Sequence, residues 1–303
     1  MELNLNPKNQ LKHTTQMTTK LLAKTPKLTP PSKPKILIFG KPGVGKTWTS
    51  LDFPSCYYVD CEAGADLGHY TDKLEKSGGV YMGPQDGALD FPTVIGQVKA
   101  LATESHNFKT LIIDSVSKLF NQAVSVEAQR LGDKDAFGAS KKPAIAYMRQ
   151  LVAWVTKLDM NVIFIAHEKM TWVDDKQGPS TFDCWDKLEY ELHLSLQIIK
   201  RGSERLAFIR KSRLTGFPDA ETFAWTYSEF ANRYGKDVLE KKSVAVKIAD
   251  PSDVAEVKRL LEHIKVSQDD IDKWWAKAGV TSFEEMTDEQ IKKVVTFLQS
   301  KTK

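Results

Sequence analysis

At 303 residues, 41% apolar and 27% charged, the chain has the size and composition of one large globular domain, or of a domain with a small module. No apolar run approaches the roughly eighteen residues of a membrane span, and the first residues lack the apolar block of a secretory signal, so a membrane protein or a secreted one is not expected. The net charge of +4 is unevenly held: residues 1–35 carry seven lysines against the single acid Glu2, leaving the remainder slightly acidic. The three cysteines, Cys56, Cys61 and Cys184, are odd in number and lack metal-ligand spacing, which fits a reduced, cytoplasmic protein.

Residues 1–34 are rich in Lys, Thr and Pro and read as a flexible basic tail, suited either to a nucleic-acid backbone or to solubility alone. From Lys35 the pattern alternates. KILIF (35–39), CYYVD (56–60), VYM (80–82), KTLIID (109–114) and NVIFIA (161–166) read as strands. Residues 92–104, 116–131 and 143–158 have helical spacing. LHLSLQIIK (192–200), RLAFIRK (205–211) and TFAWTY (222–227) follow with short connections and predict antiparallel pairing. The expected fold class is α/β, a mostly parallel sheet with an antiparallel extension over 35–240. Residues 241–251 read as a linker to a small helical module over 252–303. Caps are expected there at Ser252, at Ser267, and at Thr287 with Gln290.

GKPGVGKT, residues 40–47, fits G-x-x-x-x-G-K-[ST] between a strand and a helix. The turn Gly40, Lys41, Pro42, Gly43, Val44 and Gly45 would point backbone N–H groups at phosphate oxygens. Lys46 would reach the β- and γ-phosphates, Thr47 would ligate Mg²⁺, and Trp48 follows directly in the expected cofactor site. Asp114, closing the buried strand TLIID, supplies the second metal handle. TKLD at 156–159 resembles a guanine-reading motif but ends a helix instead of following a strand, so ATP is the expected nucleotide. The residues after Asp114 are Ser115 and Val116, with no glutamate. Glu62, in YYVDCEAG at the end of another strand, is the carboxylate able to take a proton from water attacking the γ-phosphate.

The blocks GKPGVGKT, VDCEAG, TLIIDS and VIFIAHE, in this order, resemble the RecA-like recombinase and helicase superfamily, and more closely the phage RecA-like ATPases that act as single-strand annealing proteins. That resemblance implies a RecA-like core over 35–240. Glu62 would be the general base, Asp60 a support for the strand end or the metal, and His167 a γ-phosphate sensor, with a satisfied interior histidine as the plain alternative. FIRKSRLTG (208–216) resembles the K-x-R-x-G segment that offers basic residues to a neighbouring subunit's nucleotide. Lys211 and Arg213 would then act in trans within a ring or filament, unless they are only the charges of an edge strand.

The resemblance also implies that loops near 131–143 and 168–187 face single-stranded DNA. The candidates are Lys134, Phe137, Lys141 and Lys142 in the first, and Lys169, Trp172 and Lys176 in the second. Cations for phosphates and aromatic faces for bases suit strands of any sequence. Four acids, Asp174, Asp175, Asp183 and Asp186, oppose this in the second loop, and packed tryptophans on a surface loop are the alternative. Residues 252–303 resemble small helical modules that act by protein contact; adjacent Trp274 and Trp275 either pack or leave one ring for a partner. The expected protein is an ATP- and Mg²⁺-dependent homo-oligomer that binds single-stranded DNA and promotes annealing or recombination. The alternatives are a hexameric helicase-type motor, a DNA-coating protein with ATP as a structural ligand, and a small-molecule kinase.

Overall fold

The structure of the chain, a computed structural model, describes residues 32–301 other than 67, 137 and 174, together with the isolated residue 23. Ser32–Lys303 forms one compact unit. The basic tail expected over 1–34 lies outside the described residues as far as residue 31, apart from residue 23. Its last residues belong to the core. Lys33 is buried and donates from Nζ to the carbonyls of Leu239, at 3.4 Å, and Lys241. Lys35 is also buried, donating to the carbonyls of Leu158 and Met160 at 2.6 Å each, and burial pulls its pKa down to about 7.

The sheet is built on β1 (Lys35–Gly40), whose six residues are all buried. Side chains alternate along a strand, so Leu37 and Phe39 enter the core on one face while Ile36 and Ile38 enter the other. The same division repeats in β2 (Cys56–Asp60), β4 (Thr110–Asp114) and the first half of β5 (Asn161–Val173). Apolar residues on both faces are what a parallel strand covered by helices requires. β3 (Val80–Met82), β6 (Lys176–Asp183), β7 (Leu194–Arg201), β8 (Glu204–Ser212) and β9 (Thr222–Ala224) complete the sheet. The order is β3-β2-β4-β5-β1-β7-β8-β9, with β6 paired to β5. Pairing is parallel from β3 through β7 and antiparallel at β8, β9 and β6. The expected mixed sheet with an antiparallel extension is therefore the observed architecture.

Helices α1 (Lys46–Ser50), α2 (Gly68–Ser77), α3 (Phe91–Thr103), α4 (Val116–Leu131) and α5 (Lys141–Lys157) alternate with the parallel strands. In α3, Phe91, Val94, Ile95, Val98, Leu101 and Ala102 are buried, the one-sided spacing of a helix on a sheet, and Asp90 caps it by accepting from Thr93 N–H at 2.9 Å. Two readings are revised. The strand expected to end at residue 166 runs on to Val173 and folds back as the β5–β6 hairpin, with Asp175 at φ +58 in its turn. Of TFAWTY only Thr222–Ala224 pairs. Trp225 is fully buried, and Thr226 accepts from Glu229 N–H to cap α7 (Tyr227–Tyr234), which α8 (Lys236–Glu240) follows.

Residues 241–251 are hydrogen-bonded to the sheet unit rather than spanning free. Ser243 Oγ donates to Phe108, Val244 N–H to Asp159 Oδ2 and Val246 N–H to Ala102. Helices α9 (Pro251–His263), α10 (Gln268–Ala278) and α11 (Asp288–Lys301) follow. Val254, Val257, Val280 and Ile291 share one apolar cluster with α3 and α5, so this part does not form a core of its own. The cap of α9 is Asp250, not Ser252: its carboxylate accepts Ser252 N–H, and Pro251 suits the first turn. Ser267 caps α10, and Thr287 with Gln290 forms the capping box of α11. The adjacent tryptophans pack in different directions, Trp274 against Phe297 and Trp275 against Phe283.

Gly279 ends α10 at φ +65, and a Cβ there would lie 2.4 Å from the Cβ of Ala153 on α5. Gly279→Ala is expected to destabilise the protein by about 1–3 kcal/mol, read as a lower urea midpoint. Coupling with Ala153→Gly separates the steric part from the backbone part.

Candidate active site

Parallel pairing fixes which strand ends meet. Gly40 is level with His167, and Asp60 is level with Asp114. The expected phosphate loop, metal handle, acids and sensor therefore rise from one edge of the sheet, from β1, β2, β4 and β5. In the loop, Lys41, Pro42 and Gly43 are exposed while Val44 anchors it in the core. Gly45 takes the left-handed conformation at φ +90 that lets the chain turn into α1. Lys46 Nζ donates to the carbonyls of Gly40 (2.8 Å) and Lys41 (3.0 Å), and burial lowers its pKa.

Thr47 Oγ1 donates to Asp114 Oδ2 at 2.5 Å. Asp114 is 5% exposed, and burial pushes its carboxyl up to about 6. A buried carboxylate beside a hydroxyl is a hard-oxygen set of the kind Mg²⁺ takes, and a cation would offset the desolvation that raises Asp114. Asp60 is spent differently. Its carboxylate accepts the N–H groups of Glu62 (3.1 Å) and Ala65 (2.6 Å) and the Tyr58 hydroxyl (3.2 Å), so it holds the turn that carries Glu62.

Glu62 Oε1 accepts two hydrogen bonds, from Ser115 Oγ at 2.6 Å and from His167 Nε2 at 3.0 Å. Ser115 also caps α4, its oxygen accepting Lys118 N–H at 3.1 Å, and its hydroxyl lies 3.1 Å from His167 Nε2. With its one proton given to Glu62, Ser115 leaves the imidazole as the second donor. The hydrogen bond from His167, followed by that from Ser115, outweighs burial and holds Glu62 down at about 2. The reciprocal bond raises His167 above its ordinary value. Glu62 is therefore a carboxylate at any physiological pH. Its Oε2 has no hydrogen-bond partner among the described residues and stays available to a proton or water. A cleft of about 460 Å³ is lined by Gly40, Lys46, Thr47, Glu62, Asp114 and His167, among others.

Lys211 and Arg213 stand at the other end of the sheet. Ser212 pairs with Leu194, which is level with Ile36, roughly 13 Å along β1 from Gly40 at the usual rise per residue. Lys211 Nζ donates to the carbonyls of Glu189 (3.1 Å) and Leu192, and Arg213 Nη2 to that of Tyr190 (2.5 Å), around the short helix α6 (Leu188–Glu191). Neither reaches the chain's own phosphate loop. Burial, then the neighbouring Arg213, lowers the Lys211 pKa.

The DNA candidates separate into two groups. Lys134 closes a 3-10 turn and Lys141 and Lys142 open α5, all exposed; Phe137 lies outside the described residues. Lys169, Trp172 and Lys176 sit on the β5–β6 hairpin. Trp172 is 68% exposed, whereas Lys169 is charge-paired with Asp186 at 3.3 Å and Asp183 at 3.9 Å. Trp185 is buried beside the Arg149 guanidinium.

Residues 32–208 match the AAA domain family, over half of the chain. The chain belongs to that family. An AAA domain with an intact phosphate loop is a nucleotide-binding P-loop ATPase fold, and the match covers the loop, Glu62, Asp114 and His167. No curated protein matches the chain. A crystal structure of the RadB recombinase aligns with 64% of this chain and 87% of its own, at 16% identity and a TM-score of 0.41. Among the described residues no helix of this AAA domain protein is long and apolar enough to cross a membrane.

Sequence reasoning missed Ser115, although its signal was present: it directly follows Asp114. It also missed His69 and Tyr70, whose rings lie 5.9 and 6.3 Å from Trp48 beside the loop. Removing the donor side chain in His167→Ala or Ser115→Ala is expected to raise the Glu62 midpoint from about 2 toward 4.5, read by carbon NMR of the carboxyl group. Because folding lowers Glu62, its share of stability is present above 4.5 and lost as the pH falls toward 2. His167 is raised, so its share is present below 6.5 and lost as the pH rises through its folded midpoint.

Proposed function

We propose that the protein is an oligomeric Mg²⁺-dependent ATPase that acts on single-stranded DNA in annealing or recombination. The observation that carries the hydrolytic part is the Glu62 carboxylate, ionised and fixed by Ser115 and His167 across the cleft from Lys46 and Thr47. Glu62 orients the attacking water through Oε2 and takes its proton as the water adds to the γ-phosphorus and the bond to the leaving ADP oxygen breaks. His167 reports the terminal phosphate by way of the same carboxylate. The Lys46 ammonium leaves the loop carbonyls to meet phosphate oxygens. Thr47 and Asp114 would hold Mg²⁺, which supplies charge neutralisation on the phosphates. The base lies against Trp48, His69 and Tyr70, since aromatic rings offer it a stacking face.

Oligomerisation is supported by the remoteness of Lys211 and Arg213 from their own phosphate loop. A basic pair that cannot serve its own site can serve a neighbour's, provided it exchanges the carbonyls around α6 for phosphate oxygens. DNA binding is supported by exposed Trp172 and Lys176 on the hairpin and by exposed Lys134, Lys141 and Lys142, with Lys169 contributing less because two aspartates already hold it. The tail lysines between 8 and 27 add further positive charge.

Glu62→Gln is expected to lower kcat by roughly 10²–10⁴-fold with ATP binding intact, measured by steady-state phosphate release and equilibrium binding. Intact turnover in that variant would sink the assignment. Arg213→Ala is expected to be similarly inactive, and mixing the two inactive variants should restore part of the activity through interfaces that combine a good Glu62 with a good Arg213. Trp172→Ala is expected to weaken binding of an oligothymidine by roughly tenfold at fixed salt, read by fluorescence anisotropy.

A further inference from the structure

Arg205 opens β8 at the phosphate-loop end of the sheet. It pairs with Lys200 of β7, and its carbonyl accepts Trp225 N–H at 2.8 Å, so its backbone is held on both sides. A Cβ added to Gly45 would lie 2.1 Å from Arg205 Nε and 2.5 Å from its Cδ. The arginine therefore lies flat against the backbone of the loop, where only glycine leaves room. Its Nε is buried with no hydrogen-bond partner, and among the described residues no carboxylate forms an ion pair with its guanidinium. Arg205 is half-exposed as a whole, but its buried Nε–H lacks an acceptor and its charge cannot be shed, so an anion in the adjoining cleft would satisfy both.

The cleft that Arg205 faces holds about 250 Å³ and is lined also by Gly43, Lys46, Thr47, Trp48 and Tyr70. The cleft that holds Glu62 and His167 shares Lys46, Thr47 and Tyr70 with it, but not Arg205. The loop thus divides two flanks. One carries the hydrolytic carboxylate, the other carries Arg205, Trp48 and His69, and Tyr70 lines both. A phosphate chain whose terminal group meets Glu62 must lead back across Lys46 and Thr47 toward the second flank.

We infer that Arg205 binds the nucleotide's phosphate chain next to the ribose, the part that ADP and ATP share, and that it does so in the same chain that supplies the loop. This rests on the reading that the loop holds a nucleoside triphosphate. It separates the roles of the basic residues: Arg205 fastens the nucleotide in cis whether or not the γ-phosphate is present, whereas Lys211 and Arg213 meet the γ-phosphate in trans. Arg205 is planar and forked, so it makes two directed bonds to phosphate oxygens where a lysine makes a point contact.

The test measures dissociation constants of Mg·ADP and Mg·ATP, together with kcat at saturating ATP, for wild type, Arg205→Gln and Arg205→Lys. Thermal melts of all three check the fold. Arg205→Gln is expected to weaken ADP and ATP binding by the same factor, roughly 10- to 100-fold, with kcat at saturation within about twofold of wild type. Arg205→Lys, which keeps the stem and the charge, should recover part of the affinity for both. Three results would overturn the inference: unchanged affinity for both nucleotides in Arg205→Gln, loss confined to ATP, or loss confined to kcat. The first would make Arg205 a packing residue, and the others would move it to the γ-phosphate. Wild-type protein that binds neither nucleotide would overturn the ATPase reading itself, and this inference with it.

Discussion

The register of four parallel strands governs the candidate site. β2 lies beside β4, β4 beside β5, and β5 beside β1, and their pairing brings Gly40, Asp60, Asp114 and His167 to one edge. Parallel strands finish at the same side of a sheet, and the turns that follow them project from that side. A slip of one residue in any of these ladders would exchange the side chains packed on the two faces and move the strand ends out of level. The apolar residues that hold the register, such as Leu37, Ile113 and Phe164, are each fully buried and contribute about 1.5–3 kcal/mol apiece. The geometry of the acids is thus secured by residues that never touch a nucleotide.

Within that edge, polar groups are assigned by what each can still donate or accept. Asp60 is used up by two backbone N–H groups and a tyrosine hydroxyl, which makes it the support of a turn. Asp114 accepts the Thr47 hydroxyl closely and the Tyr58 hydroxyl only at 3.4 Å, so burial leaves its carboxyl raised. Glu62 has donors on one oxygen and none on the other, which combines a fixed orientation with an open acceptor. Ser115 joins the parts: one hydroxyl caps α4 and orients Glu62, so the helix start and the acid are set together.

The antiparallel extension gives the basic residues of β8 opposite surroundings. The strand runs from the phosphate-loop end, where Arg205 rests on Gly45, to the far end, where Lys211 and, just past the strand, Arg213 grip the carbonyls around α6. One strand thereby carries cations to both ends of the sheet. The hairpin of β5 and β6 is tied to the same region, because Gln197 of β7 donates to Glu168 and Ser180 and accepts from Arg210.

Local pattern alone determined much of this protein. The loop 40–47 and its flanking strand and helix were legible because glycine spacing and apolar runs are short-range signals. So were the buried strands, helices α3 to α5, the caps at Ser267 and Thr287, and the candidacy of Glu62 and Asp114. The hairpin was not legible, since its stretches EKMTWV and KQGPSTFD are mostly polar without regular alternation, and Gly178 with Pro179 reads as a loop. The internal role of Lys33 and the docking of residues 241–303 were hidden for a different reason: lysine-rich or polar stretches read as free until their partners are known. Arg205 is 160 residues from Gly45 in the chain, and no spacing rule connects them. Only the folding of β8 back beside β7, which itself pairs with β1, brings the charge to the loop, because long-range pairing is decided by the whole sheet and not by the residues it joins.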